Sequence, residues 1–428
     1  MEKLNTKHTR NKLVTFCAIL IALFSAGCLK ERVIDSTKSD GSTFFREHGL
    51  PQYDKNFAIA PLKNNKFIIG GTEGSRTNTL PGLYFHQIDN NGFVSNNAEA
   101  LIGYAYNPYM QVLKNEDVLI ADYIYPSISK YDSDGKKLYS NEFKERGILS
   151  EILGLYRYSK PSIEKQNNMH IALCHSYKKS EAINGKGLYG IMHLDASTGL
   201  ETSFDTIPQK DFDGLPFFIS ILKSENNTHW LLTQEAITDS LVKSTFHTPK
   251  LFLKKVVNGK LLEGKELNMT TPYESECLQA NTTLTDNSFV IISGENSLLY
   301  DTEKNSSNTL IANKVDTSFK EIWKQKIVLD ATSIECKQIK ENALGELLLL
   351  GTCSPNNSSY KSGFMVKLSS QGSFIDSKII DLGQHAEFED FIELEDGSFI
   401  FVGGVNNFGN SLENMNRFYL KTDKNYNY

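Results

Sequence analysis

Cysteine is scarce in this 428-residue chain: there are six, and no two are spaced Cys-x-x-Cys, which argues against a structural zinc site built on thiolates. Positive charge is also in deficit, with 45 Lys and Arg against 51 Asp and Glu, a formal net charge of −6. An acidic balance speaks against nucleic acid as a partner and against a polybasic membrane patch. No Pro/Gly-rich stretch divides the chain, so one continuous domain is the economical reading. Catalytic signatures are missing as well: neither a Gly-x-Ser-x-Gly elbow nor a His-Glu-x-x-His run occurs. The longest apolar run, Leu13 to Ala26, is too short for a spanning helix.

That run follows Lys3, Lys7, Arg10 and Lys12, with Glu2 the single acid, and so has the form of a signal-peptide core. It ends in Ser25-Ala26-Gly27-Cys28, which resembles a bacterial lipoprotein signal, although Ser25 stands where that family usually has Leu. An ordinary secretory signal with an incidental Cys is the alternative. The resemblance implies acylation of Cys28, and two or more acyl chains hold a protein to a membrane without a transmembrane helix. The expected organisation is a signal peptide over 1–27, a lipidated Cys and flexible tether over 28–41, and a single domain over 42–428. Loss of the signal removes four basic residues and one acid, so the charge moves from −6 to −9.

A short phrase recurs along the rest of the chain, each time closing a run of strand-forming residues. Its copies are Gln87-Ile88-Asp89, Lys130-Tyr131-Asp132, His193-Leu194-Asp195, Lys314-Val315-Asp316, Lys367-Leu368-Ser369 and Lys421-Thr422-Asp423. A period of roughly 55 residues built from short strands is the mark of a β-propeller. Seven apolar runs recur with the same spacing, six of them ahead of these phrases, among them Lys66 to Gly70, Asp117 to Ala121, Glu346 to Leu350 and Ser398 to Val402, and such runs are strands buried on both faces. Each unit supplies four strands, so the fold class is all-β: a seven-bladed propeller. The last unit stops after its third strand, whereas Ser42 to Arg46 stands alone before the first. That N-terminal strand is expected to join the last blade and close the ring.

Units such as Asp396 to Gly404 followed by Phe418 to Asp423 resemble the repeats of bacterial propeller lipoproteins and related secreted propellers. The likeness is good in the last two units and poor in the third and fourth, and the Trp-Asp and Gly-His marks of the WD40 class are absent. It implies a fold and an envelope location, with little about function. An outer-membrane lipoprotein is the expectation, its periplasmic or surface side left open.

Several patterns invite a chemical reading and give way to a structural one. The phrase Asp, as in Asp132-Ser133-Asp134-Gly135, lacks the further oxygens of a calcium loop and reads as an acceptor for turn amides. Gly185-Lys186-Gly187-Leu188-Tyr189-Gly190 matches a dinucleotide fingerprint but leads into a strand rather than a helix. His170 and Cys174 face one way on a strand and His175 the other, so the three do not converge on a metal. The acids Glu387, Glu389, Asp390, Glu393, Glu395 and Asp396 read as a strand with a solvated acidic edge. Cys336 and Cys353 flank the turn at Glu341 to Glu346 nearly symmetrically, so a cross-strand disulfide between them is one expectation, and two buried free thiols the other.

Strand alternation places the connections between second and third strands, and those between blades, at one end of the ring. They are long and polar, such as Thr72 to Pro81 and Val405 to Asn416, and Tyr-rich. Loops over a rigid scaffold carry binding, and Tyr with Asn and Arg suits a peptide, glycan or protein. The candidate ligand-binding residues are Tyr104, Tyr106, Tyr109, Tyr123, Tyr125, Tyr156, Tyr158, Tyr273, Arg76 and Asn406. The expected function is a membrane-anchored binding or scaffold module with no catalysis, no cofactor and no resident metal. The alternative is a propeller hydrolase or lyase acting on an envelope or environmental polymer.

Overall fold

The computed structural model describes residues 32–34, 43–48, 54–73, 82–98, 109–113, 115–122, 127–134, 136–142, 156–158, 162–163, 168–175, 188–237, 248–267, 276–295, 309–356, 358–406 and 415–428. They form seven antiparallel sheets, each of four consecutive strands except the third, whose inner strand is broken into Tyr156–Tyr158 and Ser162–Ile163, and the last, which takes its fourth from the N-terminus. The chain is a seven-bladed β-propeller.

Apolar runs place the second strand of each blade. Phe67–Glu73, Val118–Asp122, Asn168–His175, Thr228–Ile237, Phe289–Glu295, Leu347–Pro355 and Phe399–Asn406 are these strands, each central in its sheet. Their side chains enter cores that lie between neighbouring sheets: Leu347 and Leu349 join Leu310 and Ala312 of blade 5, while Leu348 and Leu350 join Phe388 and Phe401 of blade 7. Period-two alternation thus sends successive leucines to opposite seams, so the run has to be apolar throughout. First strands line the axis, with Asp54–Pro61 packing on both His385–Glu393 and Tyr109–Val112. Fourth strands are outermost and mostly solvated, as in Glu321–Val328.

Each recurring phrase closes a third strand at a tight turn. Asp89 Oδ1 accepts from the amides of Asn91 and Phe93 at 2.8 and 2.9 Å, Asp316 Oδ1 from Ser318 and Lys320 at 2.8 and 2.9 Å, and Asp423 Oδ1 from Asn425 and Asn427 at 2.8 and 2.9 Å. In blade 6 the Ser369 hydroxyl takes the same place. The fourth turn residue needs a left-handed backbone, which Gly92 and Gly372 adopt without a Cβ penalty. Phe319 and Tyr426 adopt it in blades 5 and 7, where burial of the ring offsets a strain of about 1–2 kcal/mol.

The ring closes as the sequence leads one to expect. Phe44–His48 pairs antiparallel with Asn416–Thr422 as the fourth strand of blade 7. Phe45 stacks on Phe418 at 5.9 Å, and Arg46 lies 4.0 Å over the Phe93 ring while donating to Asn91 O at 3.0 Å, which fastens the closing strand to blade 1. Outside it lies a short strand, Arg32–Ile34, a stretch assigned above to the tether.

The disulfide expectation is corrected: Cys336 and Cys353 are buried free thiols. Symmetry about the hairpin turn would face Cys336 toward the neighbourhood of Cys353. A register break between Cys336 and Gln338 slides it opposite Gly351, and another follows between Thr332 and Glu335, while Cys353 pairs with Ser362 on its other side. Burial pushes both thiols up to about 12.

Candidate functional site

The described part of the loop end carries a charged cluster where blades 6, 7 and 1 meet the axis. Lys55 comes from the first strand of blade 1, Glu387 and Glu389 from that of blade 7, Glu335 and Lys337 from that of blade 6, and Lys361 from the loop entering Ser362–Leu368. Lys55 Nζ lies 2.7 Å from Glu387 Oε2 and 2.5 Å from Glu389 Oε1. Lys361 reaches Glu387 at 3.4 Å, Lys337 approaches Glu389 at 3.9 Å, and Lys337 also pairs with Glu335. All but Lys361 are strand residues whose positions the sheet dictates, and Lys55 and Glu387 join the first blade to the last.

Charge is balanced in the cluster, three lysines against three glutamates. Burial works to raise the Glu387 carboxyl, yet the attraction of Lys55, seconded by Lys361 and Lys337, brings it down to about 2. Burial likewise opposes the charge on Lys337, and Glu389 and Glu335 outweigh it, raising that ammonium. His385, at the start of the blade 7 inner strand, is held below its ordinary value by burial and then by Lys361. The expectation of a solvated acidic edge is thereby revised for half the acids. Glu387 and Glu389 are largely covered, and Asp390 is buried, pairing with Lys340 at 2.6 Å and accepting from the Ile59 amide at 3.0 Å.

Of the sequence-derived ligand residues, Tyr109 and Asn406 are described with their side chains. Tyr109 begins the inner strand of blade 2, and burial followed by Asp390 pushes its phenol up to about 12. Asn406 ends the second strand of blade 7, buried and paired with His385 in register. Tyr156 and Tyr158 lie on the broken inner strand of blade 3, in register with His175 and Leu173. Tyr104, Tyr106, Tyr123, Tyr125, Tyr273 and Arg76 lie outside the described residues, as does Cys28. Sequence reading missed Tyr360, 41% exposed in the loop that ends at Lys361; its position in a long polar connection was the available signal.

A second cluster sits at the opposite, turn end. His170 and His193 are directly opposed on the second and third strands of blade 3, and His229 begins the second strand of blade 4. One ring nitrogen of each lies within 4.8 Å of one from each of the others. His170 was read above with Cys174 and His175, its neighbours along the strand; the fold brings it instead to histidines of the adjoining strand and the next blade. An open pocket of about 320 Å³ lies beside them, lined also by Thr202, Asp205 and Asn258.

No family model and no curated protein matches the sequence. Solved structures do match in shape. A polysaccharide lyase described as an ulvan lyase shares 9% identity with this chain at a TM-score of 0.54, over 86% of this chain and 94% of its own. The Dos1 propeller shares 10% identity at a TM-score of 0.45, over 85% and 92%. A protein of unknown function from Bacteroides caccae shares 12% at a TM-score of 0.40, over 77% and 94%. At such identities the likeness is one of fold.

Proposed function

We propose that this chain is a membrane-anchored lipoprotein of a bacterial cell envelope whose propeller binds a glycan or peptide at the loop end of the ring. The observation that carries the reading is the charge-balanced cluster of Lys55, Lys337, Lys361, Glu335, Glu387 and Glu389, with Tyr360 exposed on the adjoining loop. Donors and acceptors of both signs, set on rigid strands beside a flat ring, suit hydroxyls or backbone amides of a ligand with little net charge. Anchoring rests on the likeness of Ser25 to Cys28 to a lipoprotein signal.

The test is a glycan and peptide array probed with the soluble domain. Tyr360→Ala and Lys361→Ala lie on the surface and spare the fold, so each is expected to lower capture at least several-fold; capture unchanged in both sinks the loop-end assignment. Separately, Cys28→Ser is expected to move the full chain from the membrane fraction to the soluble one.

A second reading, a hydrolase or lyase acting on a polymer, draws on the paired carboxylates Glu387 and Glu389 and on the activity named for one like-folded protein. The electrostatics favour binding over that chemistry. A general base works best with a pKa near the operating pH, and Lys55 holds Glu387 far below it. Release of unsaturated ends from a uronic-acid polymer, lost in Glu387→Gln, would reverse this order.

A further inference from the structure

The three histidines at the seam of blades 3 and 4 have the makings of a metal site. His170 is 3% exposed and His229 fully buried, whereas His193 opens onto the pocket. His170 Nδ1 faces His193 Nδ1 at 2.8 Å. His229 Nδ1 is engaged at 2.8 Å with the hydroxyl of Ser224, its cross-strand partner, which leaves Nε2 directed away from that hydroxyl, buried and without a hydrogen-bond partner. On the far side of His193, Nε2 lies 3.2 Å from Asp205 Oδ2.

This is the arrangement by which proteins orient imidazole ligands: one ring nitrogen toward the ion, the other donating to a hydroxyl or carboxylate. Here Ser224 holds His229 by a hydrogen bond, while Asp205 Oδ2 stands within ion-pair reach of His193 Nε2 at 3.2 Å without an aligned hydrogen bond, so the turn of His193 that admits an ion has also to seat that nitrogen on Asp205. Ligand nitrogens around a tetrahedral ion at about 2.0–2.1 Å stand roughly 3.3 Å apart, so the two facing Nδ1 atoms need to part by about half an ångström. Rotation of His193, whose side chain borders the open pocket, supplies that movement. The ring centroids stand 4.9, 4.9 and 5.5 Å apart, and one nitrogen of each ring lies within 4.8 Å of one from each of the others.

Without an ion, the buried His229 Nε2 carries the cost of an unmet polar atom. Three imidazoles with no thiolate among the described donors suit zinc and its first-row neighbours rather than calcium or magnesium.

We propose that His170, His193 and His229 bind one divalent first-row transition ion, zinc being the fitting case, at the seam of blades 3 and 4. Asp205 and Ser224 are the positioning residues, and the pocket side leaves a coordination position for water. The ion ties two adjacent blades together at the end of the ring away from the charged cluster.

The experiment uses tag-free protein stripped with a chelator, so that no purification histidines intervene. One equivalent of Co²⁺ is expected to give the intense visible bands of a tetrahedral site, and Zn²⁺ to displace it at one ion per chain while raising the melting temperature. His193→Ala, at a side chain 14% exposed on the edge of the pocket, is expected to keep the fold by circular dichroism and lose stoichiometric binding. Asp205→Asn is expected to weaken affinity by about 10–100-fold. The site is refuted if the wild-type chain takes up no stoichiometric ion, or if folded His193→Ala and Asp205→Asn bind as the wild type does. His229→Ala is read in parallel, and the first two variants decide the matter if it fails to fold.

Discussion

Lys254 Nζ lies 3.2 Å from Glu235 Oε1 in blade 4, and the two side chains are 1% and 0% exposed. Glu235 is fully committed. Its Oε2 accepts from the amides of Asp213 and Gly214 at 2.8 and 3.0 Å, and its Oε1 from Thr233 Oγ1 at 2.6 Å. Lys254 also reaches Asp213 at 2.8 Å and sits over the rings of Phe212 and Phe252. Removing one partner of a buried pair leaves the other uncompensated, at a cost of about 3–5 kcal/mol. Lys254→Met is therefore expected to destabilise the chain by that amount in urea titration. Adding Glu235→Gln should recover part of the loss, because the Gln oxygen still accepts while no bare charge stays buried.

Acid should loosen the joint between the first and last blades. Glu387 falls from an ordinary 4.5 to about 2, burial being outweighed by Lys55. A depressed folded-state pKa gives stability that is full above 4.5 and is lost as pH falls from there through about 2. Melting temperatures taken across that window should drop, and less steeply in Glu387→Gln. An equal slope in the variant would assign the acid sensitivity elsewhere.

The closing strand should be worth much of the domain's stability. Phe45 is 3% exposed and belongs to the blade 7 core with Phe388 and Phe418, so Phe45→Ala is expected to cost about 3–5 kcal/mol. Deleting residues 42 to 47 bares the edge of Asn416–Thr422 and should lower the melting temperature and promote self-association. Light scattering beside a thermal scan reads both effects.

Asp316 distinguishes turn hardware from a cation ligand. Its carboxylate accepts two turn amides, and Asp316→Ala is expected to lose about 1–3 kcal/mol. Calcium should leave the melting temperature of the wild type unchanged. A rise with calcium that vanishes in Asp316→Ala would restore the ligand reading.

Cys336 and Cys353 should resist alkylation in the folded chain, because burial holds both thiols protonated. Peptide mapping is expected to show both unmodified under native conditions and fully modified in guanidinium. A linked peptide pair without reductant would contradict the free thiols.

Much of the scaffold was legible because its signals are local. An apolar run such as Leu347 to Leu350 reads as a two-faced strand wherever it occurs, and Asp316 meets its amide partners within four residues. The surplus strand before blade 1 and the strand missing from blade 7 could be matched by counting. The cysteine register could not. Breaks at Cys336/Gln338 and Thr332/Glu335 leave no composition mark, yet they move Cys336 from the expected neighbour to Gly351.

Both candidate sites depend on contacts between blades. Lys55 and Glu387 are 332 residues apart, and their acid-rich surroundings looked like solvated edge because strand periodicity says which face a side chain takes, not what faces it. His170 shared its stretch of sequence with Cys174 and His175 and found its partners across the sheet and over the seam. Sequence alone determined the repeating strand, its turn and the closure of the ring, since each follows from hydrophobic period and local hydrogen bonding. Tertiary structure decided which polar groups meet, because the twist and stacking of one blade on the next set those distances, and neither is written in any single repeat.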